Sequence, residues 1–227
     1  MTSPRKLTIA IDGPAGSGKS TIAARLARKL GYINLESGAM YRALALKALE
    51  QHVSVDDGEA LRELAESSVM QLEPSSDGNR VLLDGRDVSQ RIRETDITAA
   101  ASRVSVHPQV RTLMVARQRA MGNNGGVVME GRDIGTAVFP NAEVKIFLDA
   151  DPAVRAERRL LQTGAPTPDA WQRVQAEIAA RDQRDRTRAT SPLFPAPDAV
   201  HLDTTDKTID QVVAEVEKMV QRLMAGP

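Results

Sequence analysis

Gly13-Pro14-Ala15-Gly16-Ser17-Gly18-Lys19-Ser20, followed by Thr21, fits the spacing Gly-x-x-x-x-Gly-Lys-Ser/Thr. Each residue type there has a task if the ligand is a polyphosphate. Glycines let backbone N–H groups turn inward around an anion. Lys19 reaches the β- and γ-phosphates, and the Ser20 hydroxyl binds Mg²⁺. The run Leu7–Ile11 before the loop is apolar and β-branched, as in a short buried strand. After it, Ile22, Leu26 and Leu30 recur at helical spacing with Ala23 and Ala27 beside them, and Gly31 stops the pattern. A strand, a glycine loop and a helix start are the context a phosphate loop requires. The helix N-terminus adds partial positive charge.

Three other stretches carry groups suited to anions. In Glu36-Ser37-Gly38-Ala39-Met40-Tyr41-Arg42, Ser37 is expected to cap a helix with Met40, Leu44 and Ala48 on its apolar side. That puts Arg42 near a helix N-terminus, which disfavours a cation unless it meets an anion. Gly125–Met129 reads as a core strand ending in Glu130-Gly131-Arg132-Asp133-Ile134-Gly135-Thr136. Ligands of open α/β sheets sit beyond such strand ends. Between Arg155 and Arg188 the chain has eight arginines and no lysine. Arg181, Arg184 and Arg188 share a helix face with Asp185 beside them. A guanidinium fork grips phosphate oxygens bidentately and an ammonium does not. A solvated helix laced with Arg–Asp pairs is the alternative for that segment.

Strands and helices alternate through most of the chain. Tyr32–Leu35, Val144–Leu148 and Val200–Leu202 read as further strands. Residues 53–68 and 91–106 read as helical, and a helix begins at Pro108 with Val110, Leu113, Met114 and Arg117 along one flank. Residues 69–88 change period around the turn Ser75–Asn79, so a hairpin is expected there. It belongs to an inserted lobe, not to a parallel sheet. Asp151 and Pro152 open a helix to about Leu161. A hinge at Thr163–Pro168 and a helix over 169–186 follow. Thr208 with Gln211 makes a capping box. Ile209, Val212, Val213, Val216, Met219 or Val220, and Leu223 form the buried stripe of the last helix. The class is α/β with a mostly parallel sheet.

Composition excludes several functions. Lys and Arg number 30, as do Asp and Glu, for zero formal net charge. Global attraction to nucleic acid or an anionic membrane is not expected. The absence of cysteine removes disulfide and thiolate chemistry. No apolar run is long enough to span a bilayer, and the polar start Met1–Lys6 gives no sign of a signal peptide.

A phosphate loop on such a sheet serves either a nucleotide-switched binding protein or a phosphotransferase with a second site. The switch calls for Asn-Lys-x-Asp, which is absent. Anion-binding groups outside the loop favour a kinase of a phosphorylated small molecule.

Taken together, Gly13–Thr21, Ser37–Arg42, Glu130–Thr136, Val144–Ala150 and Arg181–Arg188 resemble the bacterial cytidylate kinases, in the same order and over nearly the whole chain. The resemblance implies a P-loop nucleoside monophosphate kinase fold over residues 1–227. The monophosphate-binding insert would span roughly 38–105 and a helical lid roughly 158–187. It implies phosphorylation of CMP and dCMP by ATP with Mg²⁺, in the cytoplasm; since nothing in the sequence demands an oligomer, a monomer is expected, without nucleic-acid or membrane partners. Gly13, Pro14, Ala15, Gly16, Ser17, Gly18, Lys19, Ser20 and Thr21 would bind ATP. Ser37, Tyr41, Arg42, Arg132, Arg181, Asp185 and Arg188 would hold the CMP sugar and phosphate. Ser102, Arg111 and Asp133 would read cytosine. Lys19, Arg132, Arg184 and Arg188 would stabilise the transferring phosphoryl group. The family often has Asp where this chain has Glu36 and Glu130; neither is an expected base reader.

Overall fold

The computed structural model describes residues 6–75, 78–163 and 167–225. Strand β1 (Thr8–Asp12) leads through the glycine loop into helix α1 (Lys19–Leu30). Gly31 closes α1 in the left-handed conformation, its N–H bonded back to the last turn. β2 (Ile33–Glu36) and α2 (Ser37–Glu50) follow, then α3 (Gly58–Glu66). A small antiparallel sheet comprises β3 (Met70–Ser75), β4 (Gly78–Leu83) and β5 (Arg86–Asp87). Next are a short 3₁₀ turn at Arg91–Arg93, α4 (Thr95–Val104) and α5 (Pro108–Gly122). The chain then returns through β6 (Val127–Gly131), a π turn at Ile134–Val138, β7 (Val144–Asp149), α6 (Pro152–Thr163), α7 (Pro168–Thr187), β8 (Val200–Asp203) and α8 (Ile209–Ala225).

The main sheet is wholly parallel, in the order β2-β6-β1-β7-β8. β1 sits at its centre between β6 and β7, so the loop after β1 emerges mid-sheet beside the ends of β6 and β7. Ile9, Ile11, Val128, Ile146 and Leu148 pack with Ile22 and Leu26 of α1 and Val212, Val213, Val216 and Val220 of α8. A second core, without main-sheet residues, joins α2, α3, α4 and α5 to Val81 and Leu83 of the small sheet.

Several boundaries differ from expectation. Ser37 does not cap α2. Glu36, in extended backbone, holds the cap position, and Ser37 is already helical. The helix expected over 53–68 is confined to α3 because Asp57 accepts from the N–H groups of Glu59 and Ala60 and sets its start. The segment 91–106 is split by Glu94, whose backbone is extended. β6 starts at Val127 because Gly125 and Gly126 both have positive φ. Thr167 caps α7 through the N–H of Ala170 (3.2 Å), so this helix begins at Pro168. The Thr208–Gln211 box forms as expected, at 2.9 and 3.2 Å. The α8 stripe is narrower than expected, since Ile209 and Leu223 are exposed. Residues 76–77 of the expected turn and 164–166 of the expected hinge lie outside the described residues.

Candidate active site

The loop between β1 and α1 is tightly enclosed. Gly13 has φ near +149°, and a Cβ there would lie 2.0 Å from the Leu148 carbonyl oxygen. Gly16, also at positive φ, has the Arg155 carbonyl 2.8 Å from the same position. No other residue fits either place without moving backbone. The Pro14 carbonyl accepts from Ser17 Oγ (3.1 Å) and Lys19 Nζ (2.6 Å). Ser20 Oγ donates to Glu130 Oε1 (2.9 Å) across from β6. Ser20 and Thr21 are otherwise exposed in the first turn of α1.

Lys19 is buried in positive surroundings. Burial first, then Arg132 and Arg181, bring its ammonium down to about 7 against the pull of Glu130 and Asp12. Arg181 is lowered to about 10 by burial and by Arg132, Arg42 and Arg159, with Asp185 opposing. Arg181 makes no ion pair among the described residues. Burial and the nearby Glu36 raise Glu130. The cationic groups of Lys19, Arg132 and Arg181 thus crowd one another beside the loop. Such a place suits a multiply charged anion.

Arg132 and Asp133 follow β6 directly. Arg132 donates from Nε to Asp185 Oδ2 (2.8 Å) and from Nη1 to the Gly131 carbonyl (3.2 Å). Burial pushes Asp185 up, but Arg132, Arg181 and Arg188 hold it below the usual carboxylate range. Asp133 pairs with Arg111 Nη2 through one oxygen and with Arg188 Nη2 (3.5 Å) through the other. Arg188 also lies 3.6 Å from Asp185 and donates to the Ser191 carbonyl (2.8 Å). Arg111, fully buried, donates to the Ser105 carbonyl (3.1 Å) and lies 5.5 Å over the Tyr41 ring. The Tyr41 hydroxyl, Arg111 Nε and Arg188 Nη2 are buried without a hydrogen-bond partner. Three buried polar atoms without a hydrogen bond around one carboxylate are costly unless a ligand meets them. Arg42 pairs with Glu36 Oε1, and this carboxylate is the anion its place in α2 called for. Burial raises Glu36, but Arg42 and then Arg93 and Arg181 bring it below its ordinary value. Ser102 accepts from Arg184 Nε at 3.0 Å. Ser37 Oγ faces the backbone of Gly131.

The structure therefore brings all the expected residues to the carboxyl end of the sheet, and adds others. Asp12 accepts from the N–H groups of Ile134 (2.8 Å) and Gly135 (2.7 Å) at the start of the π turn. Burial raises it to about 6 despite those bonds. Its place just before Gly13 was the available signal. Arg155 and Asp182 clamp Ala15, and Arg158 grips Thr204, whose hydroxyl faces the Ser17 carbonyl. Their spacing in sequence held no clue to these pairings.

A phosphate loop at the centre of a parallel sheet, faced by arginines from an insert and a helical hairpin, defines a P-loop kinase of the nucleoside monophosphate kinase fold. The model of the cytidylate kinase family matches residues 9–222. A cytidylate kinase of Geobacillus kaustophilus (strain HTA426) is 49% identical over 217 residues, 95% of this chain and 97% of that protein. One from Enterococcus faecalis (strain ATCC 700802 / V583) is 47% identical over 220 residues, 96% of each chain. One from Solibacter usitatus (strain Ellin6076) is 47% identical over 223 residues, 97% of this chain and 94% of the other. The chain belongs to the cytidylate kinase family.

Proposed function

We propose that this enzyme transfers the γ-phosphoryl group of ATP to CMP and dCMP, and that the residues assembled above divide into a donor and an acceptor site. The observation that carries the division is the clustering of Lys19 on the loop with Arg132 after β6 and Arg181 on α7, whose charges act on one another. Residues 13–21 hold the ATP phosphates. Ser37, Tyr41, Arg42, Arg132, Arg181, Asp185 and Arg188 hold the acceptor nucleotide, and Ser102, Arg111 and Asp133 its base. The insert of roughly residues 38–105 binds the monophosphate, and the α6–α7 hairpin, roughly 158–187, is the lid.

The acceptor phosphate oxygen is already anionic, so no strong general base is needed. Catalysis is positioning plus stabilisation of charge on the in-line phosphoryl group. Lys19, Arg132, Arg184 and Arg188 supply that charge, and the lid excludes water. Ser20 Oγ beside Glu130 Oε1 offers hard oxygen donors that fit Mg²⁺. Among the described residues no group of three or more His, Cys, Asp or Glu could hold a metal, so Ser20 and the nucleotide phosphates would hold it. When bound it neutralises charge between the β- and γ-phosphates. Among the described residues no helix is long and apolar enough to cross a membrane. We assign the enzyme to be a monomer because one chain supplies every group named, and a cytoplasmic enzyme without nucleic-acid or membrane partners because its substrates are small nucleotides and its formal net charge is zero.

The test is ADP release with ATP, Mg²⁺ and each nucleoside monophosphate in turn. CMP and dCMP should turn over fastest. Strong turnover with AMP and none with CMP would reject this reading.

A further inference from the structure

Arg155 and Asp182 close a ring of hydrogen bonds around one residue of the phosphate loop. Asp182 Oδ1 accepts from the Ala15 N–H at 3.1 Å, and its Oδ2 accepts from Arg155 Nη1 at 2.5 Å. The same Nη1 donates to the Ala15 carbonyl at 3.0 Å, and Arg155 Nε donates to the Ala150 carbonyl at 3.0 Å. Both side chains are buried. Arg155 stands on α6 and Asp182 on α7, so the ring fixes both arms of the hairpin to the loop. Beneath it Ala15, Ala156 and Ile178 pack together with Trp171 and Val174. Asp182 is one helical turn from Asp185, which holds Arg132 at the end of β6. One rigid helix therefore touches the donor loop at Asp182 and the acceptor turn at Asp185. Its arginines lie between and beyond those two points.

We propose that Arg155 and Asp182 are a positioning pair that registers the α7 arginines on the phosphate loop, and so commits the phosphoryl group to the acceptor rather than to water. The proposal rests on the kinase reading above. Neither side chain needs to touch a reacting atom. A misplacement of about 1 Å costs about 10²-fold in rate, because the reacting groups must stay in line. A hairpin loose at its base also admits water beside the γ-phosphate, where hydrolysis gives ADP and inorganic phosphate from ATP.

The experiment compares wild type with Asp182→Asn, Arg155→Lys and the double variant, measuring ADP and CDP separately at saturating ATP and CMP. An amide has one acceptor oxygen, so Asn serves Ala15 or Arg155 but not both. In Asp182→Asn, CDP formation should fall by about 10- to 100-fold in kcat, with both KM values within about threefold, as for loss of positioning alone. ADP formed per CDP should rise above the wild-type ratio. The double variant should lose little more than Asp182→Asn alone, because the two act as one unit. A purely structural role would lower Tm and leave the ADP/CDP ratio unchanged. That result, or kcat within about twofold of wild type in a folded Asp182→Asn, overturns the proposal. If Asp182→Asn does not fold, Arg155→Lys, which keeps the charge, decides by the same ratio. Wild type tests the kinase reading independently: if its acceptor is another monophosphate, the ratio is measured with that acceptor.

Discussion

Arg184 of α7 donates from Nε to the Ser102 hydroxyl of α4 at 3.0 Å, joining the hairpin to the insert. A residue assigned to the transferring phosphoryl group thus meets one assigned to the base. On the proposed assignments, closure over the donor and recognition of the acceptor would share this contact. Hydrogen bonds to charged groups contribute about 1.5–3 kcal/mol, so Arg184→Ala should lower kcat/KM for CMP by at least about tenfold. Ser102→Ala should lower it too. Combining the two should cost at least about fivefold less than the product of the single losses. Losses that simply multiply would show that the contact is not used in the reacting complex.

Asp12 gives a pH dependence of stability. Its carboxyl titrates near 3.8 when unfolded and about 6 when folded, raised by burial. A raised carboxyl favours the fold fully below about 3.8, and that contribution is lost as pH rises through about 6. At 1.36 kcal/mol per unit the loss reaches at most about 3 kcal/mol. Wild-type stability should therefore fall relative to that of Asp12→Asn, which does not titrate, between pH 4 and 6.5. Urea unfolding at each pH measures it, and a constant difference would mean that Asp12 does not titrate in this window.

The fold was legible where period and context agreed. Leu7–Ile11 before a glycine loop, and Val144–Lys145–Ile146–Phe147–Leu148 further on, are strands by pattern alone and pair with each other through β1 and β7. Gly31 and the Thr208–Gln211 box mark helix ends through local hydrogen bonds, which sequence records directly. Ser37 was misread as a cap because Glu36 takes the extended conformation and turns its carboxylate to Arg42, a choice made by the neighbouring charge. Of the site, the motif residues were legible. Asp12 had only its place before Gly13 as a signal, and Arg155 and Asp182 had none, because each works on a partner more than 25 residues away through burial that no local pattern encodes.

The loop itself can be tested by Lys19→Ala. Burial and the nearby Arg132 and Arg181 disfavour the charge on Lys19, a cost that a bound phosphate would offset. A preorganised charge of this kind contributes mainly in the transition state, and its loss should lower kcat by at least about 10²-fold. Near-normal kcat in a folded variant would show that the loop does not hold the transferred group.

Arg132 already gives Nε to Asp185 and Nη1 to Gly131. In Arg132→Lys the charge survives but the rigid planar fork that spans Asp185 and a phosphate in fixed geometry is lost. KM for CMP should rise by about tenfold or more, the equivalent of one charge-assisted bond. Binding of a non-hydrolysable ATP analogue, followed by calorimetry, should change by less than about threefold on the same scale. Weakened analogue binding with an unchanged KM for CMP would exchange the donor and acceptor assignments.

On the proposed assignment, base choice depends on Asp133. Its two oxygens face Arg111 and Arg188, while Arg132 turns instead to Asp185. Asp133 thus carries an acceptor surface framed by donors. Cytosine matches that frame, with an amino group to donate to the acid and a ring nitrogen and carbonyl to accept from guanidinium. Uracil inverts the pattern, presenting a carbonyl to the acid and an N–H to the arginine. The mismatch leaves buried polar groups unpaired, and sites built on hydrogen bonds reject such analogues strongly. The wild type should prefer CMP to UMP in kcat/KM. Asp133→Ala should shrink that preference mainly by impairing CMP. It also strips a carboxylate from two buried arginines, which costs about 3–5 kcal/mol when a buried pair is broken. Asp133→Asn, which keeps the shape and one acceptor oxygen, separates base reading from folding. It should retain a wild-type-like Tm more closely than Asp133→Ala while still losing discrimination. Steady-state kinetics with both nucleotides, on variants whose Tm is known, give the ratio directly. An unchanged CMP/UMP ratio in a folded Asp133→Asn would assign Asp133 to holding Arg111 and Arg188 in place, and leave base reading to the arginines and Ser102.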